Sequence, residues 1–314
     1  MTTKTIGIVG ARGYTGAELI TLLTAHSGFE LTYVSSRELA GERLADHVDA
    51  YDGELRFEEL SPDDVAEYAA DVCVLALPNG ISGAFIDAIE RECPDTVILD
   101  LSSDHRFDDT WTYGQTERFR EQLKGATRIS NPGCYATGMQ LGLAPVVDLA
   151  IAPPQAFGVS GYSGAGTKPS PKNDLEVLSD NLMPYSLTGH THEKEVSRHL
   201  GSQIYFTPHV APFFRGITLT LSVQLGRPKS AEQIRALFDE AYADEPLVEL
   251  VDDIPLVKDN AGEHAVRIGG ISVDDNGEHL VVVVTLDNLL KGAATQALQN
   301  INLACGFGEL EGIR

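Results

Sequence analysis

Positive charge is what this chain has least of. Its 314 residues hold 23 lysines and arginines against 46 aspartates and glutamates, a formal net charge of −23. Such a surface repels phosphate backbones, which argues against nucleic acid as a partner. It also repels small anions, so a site for an anionic substrate needs cations gathered locally. Cysteine is sparse as well. There are four, with no pair at metal-finger spacing, which argues against a disulfide framework or a structural metal. No apolar run reaches the ~20 residues that a membrane-spanning helix needs. The opening stretch, MTTKTIGIVG, passes straight into a strand-like run, so no leader peptide is expected. With 43% hydrophobic and 22% charged residues the composition is that of an ordinary globular protein. These exclusions leave a cytoplasmic enzyme acting on a small molecule as the default expectation.

What is present is a regular alternation of elements. TKTIGIVGARGYTGAELITLLTAH reads as strand, glycine turn and helix, with Ile6, Ile8 and Val9 in the strand and Leu19, Leu22 and Leu23 on the helix. FELTYVSS, DVCVLALPNG and TVILDLSS supply further strands, and ISGAFIDAIERE a helix between two of them. Strands alternating with helices predict a Rossmann-like, doubly wound parallel sheet. The pattern changes after Cys134. Longer alternating strands, such as FRGITLTLSVQL and HLVVVVTLDNL, predict a second α+β domain with a mixed sheet. The tail, NLLKGAATQALQNINLACG, reads as one helix returning to the first domain. The expected division is residues 1–133, completed by a C-terminal helical segment over 288–314, and 134–287.

Gly10, Gly13 and Gly16 form G-x-x-G-x-x-G at the first strand–helix turn. Glycines there let main chain approach a pyrophosphate, and the helix N-terminus offers N–H groups and a partial positive charge. The second strand ends in Ser35, Ser36 and Arg37 rather than in a carboxylate. That suits a 2′-phosphate, so NADP is expected over NAD. Pro78 and Asn79 stand at another strand's carboxyl end, where ligands bind in such sheets.

The stretch SNPGCYATG sets Cys134 directly before a helical run. A cysteine at a helix N-terminus is held toward its thiolate, the competent nucleophile. Cys73, inside an apolar strand, reads as inert, as do Cys93 and Cys305. A nucleophile needs a partner for proton transfer, and the candidates are His190, His192 and His209. In an extended segment His190 and His192 would share one face. Metal binding is the competing reading of H-x-H, but no third ligand stands at suggestive spacing, so no metal is expected. Arg106, Lys168, Arg215 and Lys291 are candidate cations for an anionic substrate. The turn Tyr162–Gly166 is a candidate source of main-chain donors to an oxyanion or phosphate.

These residues resemble one family: N-acetyl-γ-glutamyl-phosphate reductase, also called N-acetylglutamate semialdehyde dehydrogenase. The stretches that carry the resemblance are GARGYTGAEL, LALPNG, LSSDHRF, NPGCYATG, SGYSGAG, YSLTGHTHEKEV, FTPHVAPFFRGI and DNLLKGAATQALQNINLACG, in family order along the chain. The resemblance implies a Rossmann-like NADP domain, a catalytic and dimerisation domain, and a homodimer or homotetramer. It implies NADPH-dependent reduction of N-acetyl-γ-glutamyl phosphate through a cysteine thioester, in arginine biosynthesis. The nucleophile then falls on Cys134 and the acid/base on His192, with His209 in reserve. Arg106, Tyr185, His190, His209 and Arg215 are the expected substrate contacts. The cofactor set becomes Gly10, Arg12, Gly13, Tyr14, Thr15, Gly16, Ser35, Ser36, Arg37, Pro78, Asn79, Ser163, Gly164, Ala165, Gly166 and Asn288. Rival readings are an aspartate- or aminoadipate-semialdehyde dehydrogenase of the same chemistry, and a nucleotide-sensing regulatory protein.

Overall fold

The computed structural model describes residues 3–313. The chain forms two compact units. One comprises the chain up to Pro132 together with the segment from Ala293 onward, and the other is Gly133–Gly292.

The first unit runs β1 (Lys4–Val9), α1 (Tyr14–Thr24), β2 (Phe29–Ser35), β3 (Phe57–Glu58), α2 (Pro62–Glu67), β4 (Val72–Leu75), α3 (Ser82–Glu92), β5 (Val97–Asp100), β6 (Thr112–Tyr113), α4 (Thr116–Leu123) and β7 (Arg128–Ser130). Its sheet is parallel throughout, in the order β3-β2-β1-β4-β5-β7-β6. Every residue of β4 and β5 is buried, as strands covered on both faces require. The period of two splits their side chains between two cores. Ile6, Ile8, Val72 and Val74 join α1 on one face, while Val9, Cys73 and Leu75 meet Val65 of α2 and Ile86 and Ile89 of α3 on the other. The strand order reverses between β1 and β4, which makes the turns after these two strands the binding edge of such a sheet.

The second unit runs α5 (Cys134–Leu143), β8 (Gln155–Gly161), α6 (Leu175–Leu178), β9 (Met183–Pro184), α7 (Thr191–Leu200), β10 (Tyr205–Ala211), β11 (Ile217–Gln224), α8 (Ala231–Tyr242), β12 (Val248–Leu250), α9 (Val257–Asn260), β13 (Val266–Val273) and β14 (His279–Leu286). Its sheet is mixed, ordered β12-β13-β14-β11-β8-β10-β9. Alternation in β11 sends Ile217, Leu219, Leu221 and Val223 inward and leaves Thr220 and Gln224 exposed. The inner face packs on α5, whose residues from Tyr135 to Leu143 are all buried. Phe157 and Tyr205, 42% and 53% exposed, stand on the outer face.

The tail is not one uninterrupted helix. Leu290–Ala294 form a π-helical turn before α10 (Thr295–Cys305) begins. In the first unit α10 packs against α1, α4 and β5. Its buried polar side chains are engaged: Asn300 donates to Gly114 O and to Asn131 Oδ1, and Asn302 donates to Glu309 O and Glu311 O.

Candidate functional site

The Gly10 turn is built for close main-chain approach. Gly10 has φ +83°, and a Cβ there would stand 2.4 Å from Ala76 O, at the end of β4. The Gly10 and Ala11 N–H groups both donate to Ser35 O, which ties the turn to the end of β2. Gly13 is the N-cap of α1, and nothing lies within 4 Å of the Cβ it lacks. Tyr14, Thr15 and Gly16 form the first turn of α1, which carries no carboxylate and no side-chain cap. An open glycine before an uncapped helix start fits a pyrophosphate. Ser35 and Ser36 are buried, and the Ser36 hydroxyl accepts from Leu39 N, so Ser36 braces its own turn. Arg37 and Arg12 project outward instead, toward Glu59 at 3.6 Å and Glu38 at 3.2 Å. Asn79 Oδ1 accepts from Ser103 N, which joins the turns after β4 and β5 and sets Pro78 beside them.

In the second unit Cys134 is the first residue of α5 and is half-buried. The main-chain N–H of Gly133, its N-cap, donates to Glu195 Oε1 at 2.9 Å. Glu195 is wholly buried on α7, one turn after His192, so one helix carries both residues toward α5. The His192 ring lies 6.0 Å from that of Tyr135, the residue after Cys134. The Tyr185 ring is 5.6 Å from His190, and the Tyr135 hydroxyl donates to His209 O at 2.8 Å. Burial and the nearby Cys134 sulfur push the Tyr185 hydroxyl upward, so it stays a neutral donor. By contrast, burial pushes the Cys73 thiol up to about 12 and the Cys305 thiol to about 11. Neither sits at a helix N-terminus.

Several expectations need correction. His190-Thr191-His192 is not extended. His190 is the N-cap of α7, and its Nδ1 accepts from His192 N at 3.1 Å. The rings still meet, at 4.8 Å, through the cap rather than through strand alternation. The His209 side chain faces away from Cys134's helix, and only its carbonyl meets that helix, accepting from the Tyr135 hydroxyl at 2.8 Å. His209 alternates with Phe206 and Val210 on β10, and its ring lies tilted against Phe157 at 4.5 Å, on the outer face of the sheet. Arg106, in the first unit, is buried and donates to Asn131 O and Leu101 O. Arg215 forms a two-pronged pair with the buried Asp287, which also accepts from Gly262, Leu289 and Leu290 N–H. In the Tyr162–Gly166 turn the N–H groups of Tyr162, Ser163 and Gly166 already serve Phe213 O, Phe214 O and Ser163 O. Gly164 and Ala165 sit at its tip, and Asn288 braces it by donating to Ser163 Oγ and accepting from Gly216 N. Among the described residues no cluster of three or more histidine, cysteine or acidic side chains could hold a metal ion, and no helix is long and apolar enough to cross a membrane.

Two family models match in tandem. The semialdehyde dehydrogenase NAD binding domain covers residues 5–126, and the semialdehyde dehydrogenase dimerisation domain covers residues 134–288. The chain is 59% identical over 311 residues to N-acetyl-gamma-glutamyl-phosphate reductase of Xanthomonas axonopodis pv. citri, covering 99% of this chain and 98% of that one. It is 57% identical over 311 residues to the enzyme so named in Stenotrophomonas maltophilia, with the same coverage. The chain belongs to the N-acetyl-gamma-glutamyl-phosphate reductase family. It is an oxidoreductase with the semialdehyde dehydrogenase fold. A solved aspartate semialdehyde dehydrogenase II of Vibrio cholerae superposes with a TM-score of 0.78 at 18% identity, covering 98% of this chain and 99% of that one. One of Candida albicans, crystallised with NADP, gives 0.70 at 16% identity, covering 97% and 99%. At such identities the likeness is one of fold. For this family member, sequence reasoning missed the pairing of Glu195 with Gly133, the place of Tyr135 beside His192, and the Lys172 ammonium 4.8 Å from the centre of the Tyr185 ring. A carboxylate three positions after the second histidine was the only visible trace of the first of these.

Proposed function

We propose that the chain reduces N-acetyl-γ-glutamyl phosphate to N-acetylglutamate 5-semialdehyde and phosphate with NADPH, a step of arginine biosynthesis, through a thioester on Cys134. The observation that carries this reading is the setting of Cys134: half-buried, at the first position of a ten-residue helix, with its N-cap held by the helix that bears His192. Aligned peptide dipoles favour the thiolate there. The thiolate attacks the acyl carbon, the C–O bond to phosphate breaks, and a thioester forms. NADPH, when bound, supplies the hydride that the thioester carbon accepts. His192 gives its proton to the resulting oxygen and recovers it as the C–S bond breaks and the thiolate leaves. Acid–base help of this kind contributes ~10²–10⁴-fold.

The turn Gly10–Gly16 would hold the pyrophosphate, with Arg37 and Arg12 near the 2′-phosphate. Residues up to Pro132 then serve as the cofactor domain and Gly133–Gly292 as the catalytic and dimerisation domain. A homodimer or homotetramer is supported by the outer sheet face, where Phe157 and Tyr205 stand exposed. Four cysteines without a disulfide suit a reducing cytoplasm.

The test is phosphate-dependent reduction of NADP by the purified protein with N-acetylglutamate semialdehyde, run beside the aspartate and aminoadipate aldehydes. The first should be preferred by at least ~10²-fold in kcat/KM, the scale set by leaving built polar contacts unpaired. Cys134→Ser should abolish turnover while keeping NADPH binding. A preference for another aldehyde, or a serine variant with near wild-type turnover, would refute the reading.

A further inference from the structure

We infer that Lys172 is the cation of an anion subsite beside Cys134 and holds an oxyanion of the substrate, either the carboxylate of the acylamino acid or the departing phosphate. The inference rests on the function proposed above and adds to it the group that overcomes the chain's own repulsion of anions.

The need follows from charge. A protein of net charge −23 repels an anionic substrate, so its site needs a local cation. The other cations near the motifs are engaged with other groups, wholly buried or exposed on the surface. Arg215 is neutralised by Asp287, Lys291 is wholly buried, and Lys168 is exposed on the surface. Arg106 is buried and donates to the carbonyls of Asn131 and Leu101. Lys172 differs from all of them. It is half-buried, its ammonium sits 4.8 Å from the centre of the Tyr185 ring, and among the described residues it forms no ion pair with a carboxylate within 4.0 Å.

Tyr185 carries that charge to the reaction centre. Its ring lies 5.6 Å from that of His190 and His190 lies 4.8 Å from His192, which stands beside the ring of Tyr135, next in sequence to Cys134. The Lys172 charge is also felt at His190, where it adds to burial in pushing the imidazole toward its neutral form.

The loop that delivers Lys172 is built rather than slack. Asn173 Oδ1 accepts from Ser170 N at 2.8 Å, and Asn173 Nδ2 donates to Gly166 O and Lys168 O, each at 2.8 Å. A side-chain buckle adjacent to Lys172 limits where its stem can start. A cation over an aromatic face gains only ~0.5–1 kcal/mol at exposed sites, which leaves the ammonium able to take a stronger anionic partner.

The experiment compares Lys172→Met, which keeps an apolar stem, with Lys172→Arg, which keeps the charge. Phosphate and N-acetylglutamate semialdehyde are each varied in the NADP-reducing direction. Loss of the subsite should lower kcat/KM for one of the two anions at least tenfold more than for the other in Lys172→Met. Lys172→Arg should restore most of it, and the anion affected names the oxyanion held. Equal losses for both, changes under twofold, or identical behaviour of the Met and Arg variants would overturn the proposal. A second readout needs no turnover. The ratio of Cys134 labelling by anionic iodoacetate to that by neutral iodoacetamide should fall at least threefold in Lys172→Met, and an unchanged ratio refutes the subsite. A wild-type protein inactive on the semialdehyde that nonetheless shows this fall would sink the proposed function and leave the subsite standing.

Discussion

The carboxylate of Glu195 accepts the main-chain N–H of Gly133 across 62 positions of sequence. The bond fixes the N-cap of α5 and therefore where Cys134 begins its helix. It also couples two catalytic candidates, because His192 precedes Glu195 by three residues on α7. Glu195→Ala should leave a buried N–H unsatisfied, at a cost of ~1–3 kcal/mol in stability. The displaced thiol should lower kcat by on the order of 10-fold or more, since small misplacements are costly in a reacting pair. Glu195→Gln retains an acceptor oxygen and should stay nearer wild type in both thermal unfolding and turnover. Equal behaviour of the two variants would show that Gly133 does not depend on the acceptor.

Gly292 makes the same point by contact. A Cβ on it would lie 2.9 Å from Cys134 Cβ, 3.3 Å from Cys134 Cα and 3.1 Å from Asp287 O. The π-turn brings Gly292 this close, so the wide turn is part of how the cysteine is seated. Gly292→Ala should cost ~1–3 kcal/mol through overpacking. It should also change the rate at which iodoacetamide labels Cys134. Gly83→Ala is the control. That position lies in α3 with nothing within 4 Å of the added carbon, so the change should be neutral or stabilising by helix propensity. Unaltered labelling in Gly292→Ala would mean that the cysteine tolerates displacement.

His190 gives a pH signature. Burial, with the Lys172 charge added, pushes its pKa below the usual histidine value of 6.5, against the opposing pull of Glu195 and Glu193. Its Nδ1 must stay unprotonated to accept from His192 N. A histidine with a depressed folded-state pKa contributes stability that is complete above 6.5 and is lost as pH falls through the depressed value. Unfolding temperature should therefore drop on acidification below pH 6.5. Asparagine is a good N-cap and does not titrate. In His190→Asn the drop should be shallower, and parallel wild-type and variant curves would remove His190 from the account.

The parts legible in sequence were those with local signals. The β1 turn–α1 unit announces itself through Gly10, Gly13 and Gly16, and α5 through Pro132 and Gly133. The parts that were not legible depend on partners distant in sequence or on caps outside the usual set. Nothing in TGHTHEKE signals an N-terminus in the ordinary way, because the capping group is an imidazole rather than a hydroxyl or carboxylate. Lys168 and Lys172 look alike in sequence, and burial beside Tyr185 separates them. The outward direction of His209, by contrast, was there to be seen. Phe206 and Val210 are both an odd number of positions from it in a strand, which puts its side chain on the other face.

Arg37, proposed above to read the 2′-phosphate, is weakly held. The Arg37 guanidinium faces Glu59 at 3.6 Å, with side chains 84% and 65% exposed. Exposed pairs of this kind contribute little, so the arginine is available to an incoming 2′-phosphate. A phosphate dianion accepts charge-assisted bonds from a guanidinium fork that the NAD ribose cannot match. Arg37→Ala should therefore weaken NADPH by on the order of 10-fold, about one charge-assisted contact, while NADH changes less than twofold. Glu59→Gln removes the competitor and should leave NADPH binding equal or tighter. Fluorescence titration of both cofactors with the three proteins makes the comparison. Equal losses for NADPH and NADH in Arg37→Ala would move 2′-phosphate recognition to Arg12, whose partner Glu38 follows Arg37 in the turn after β2.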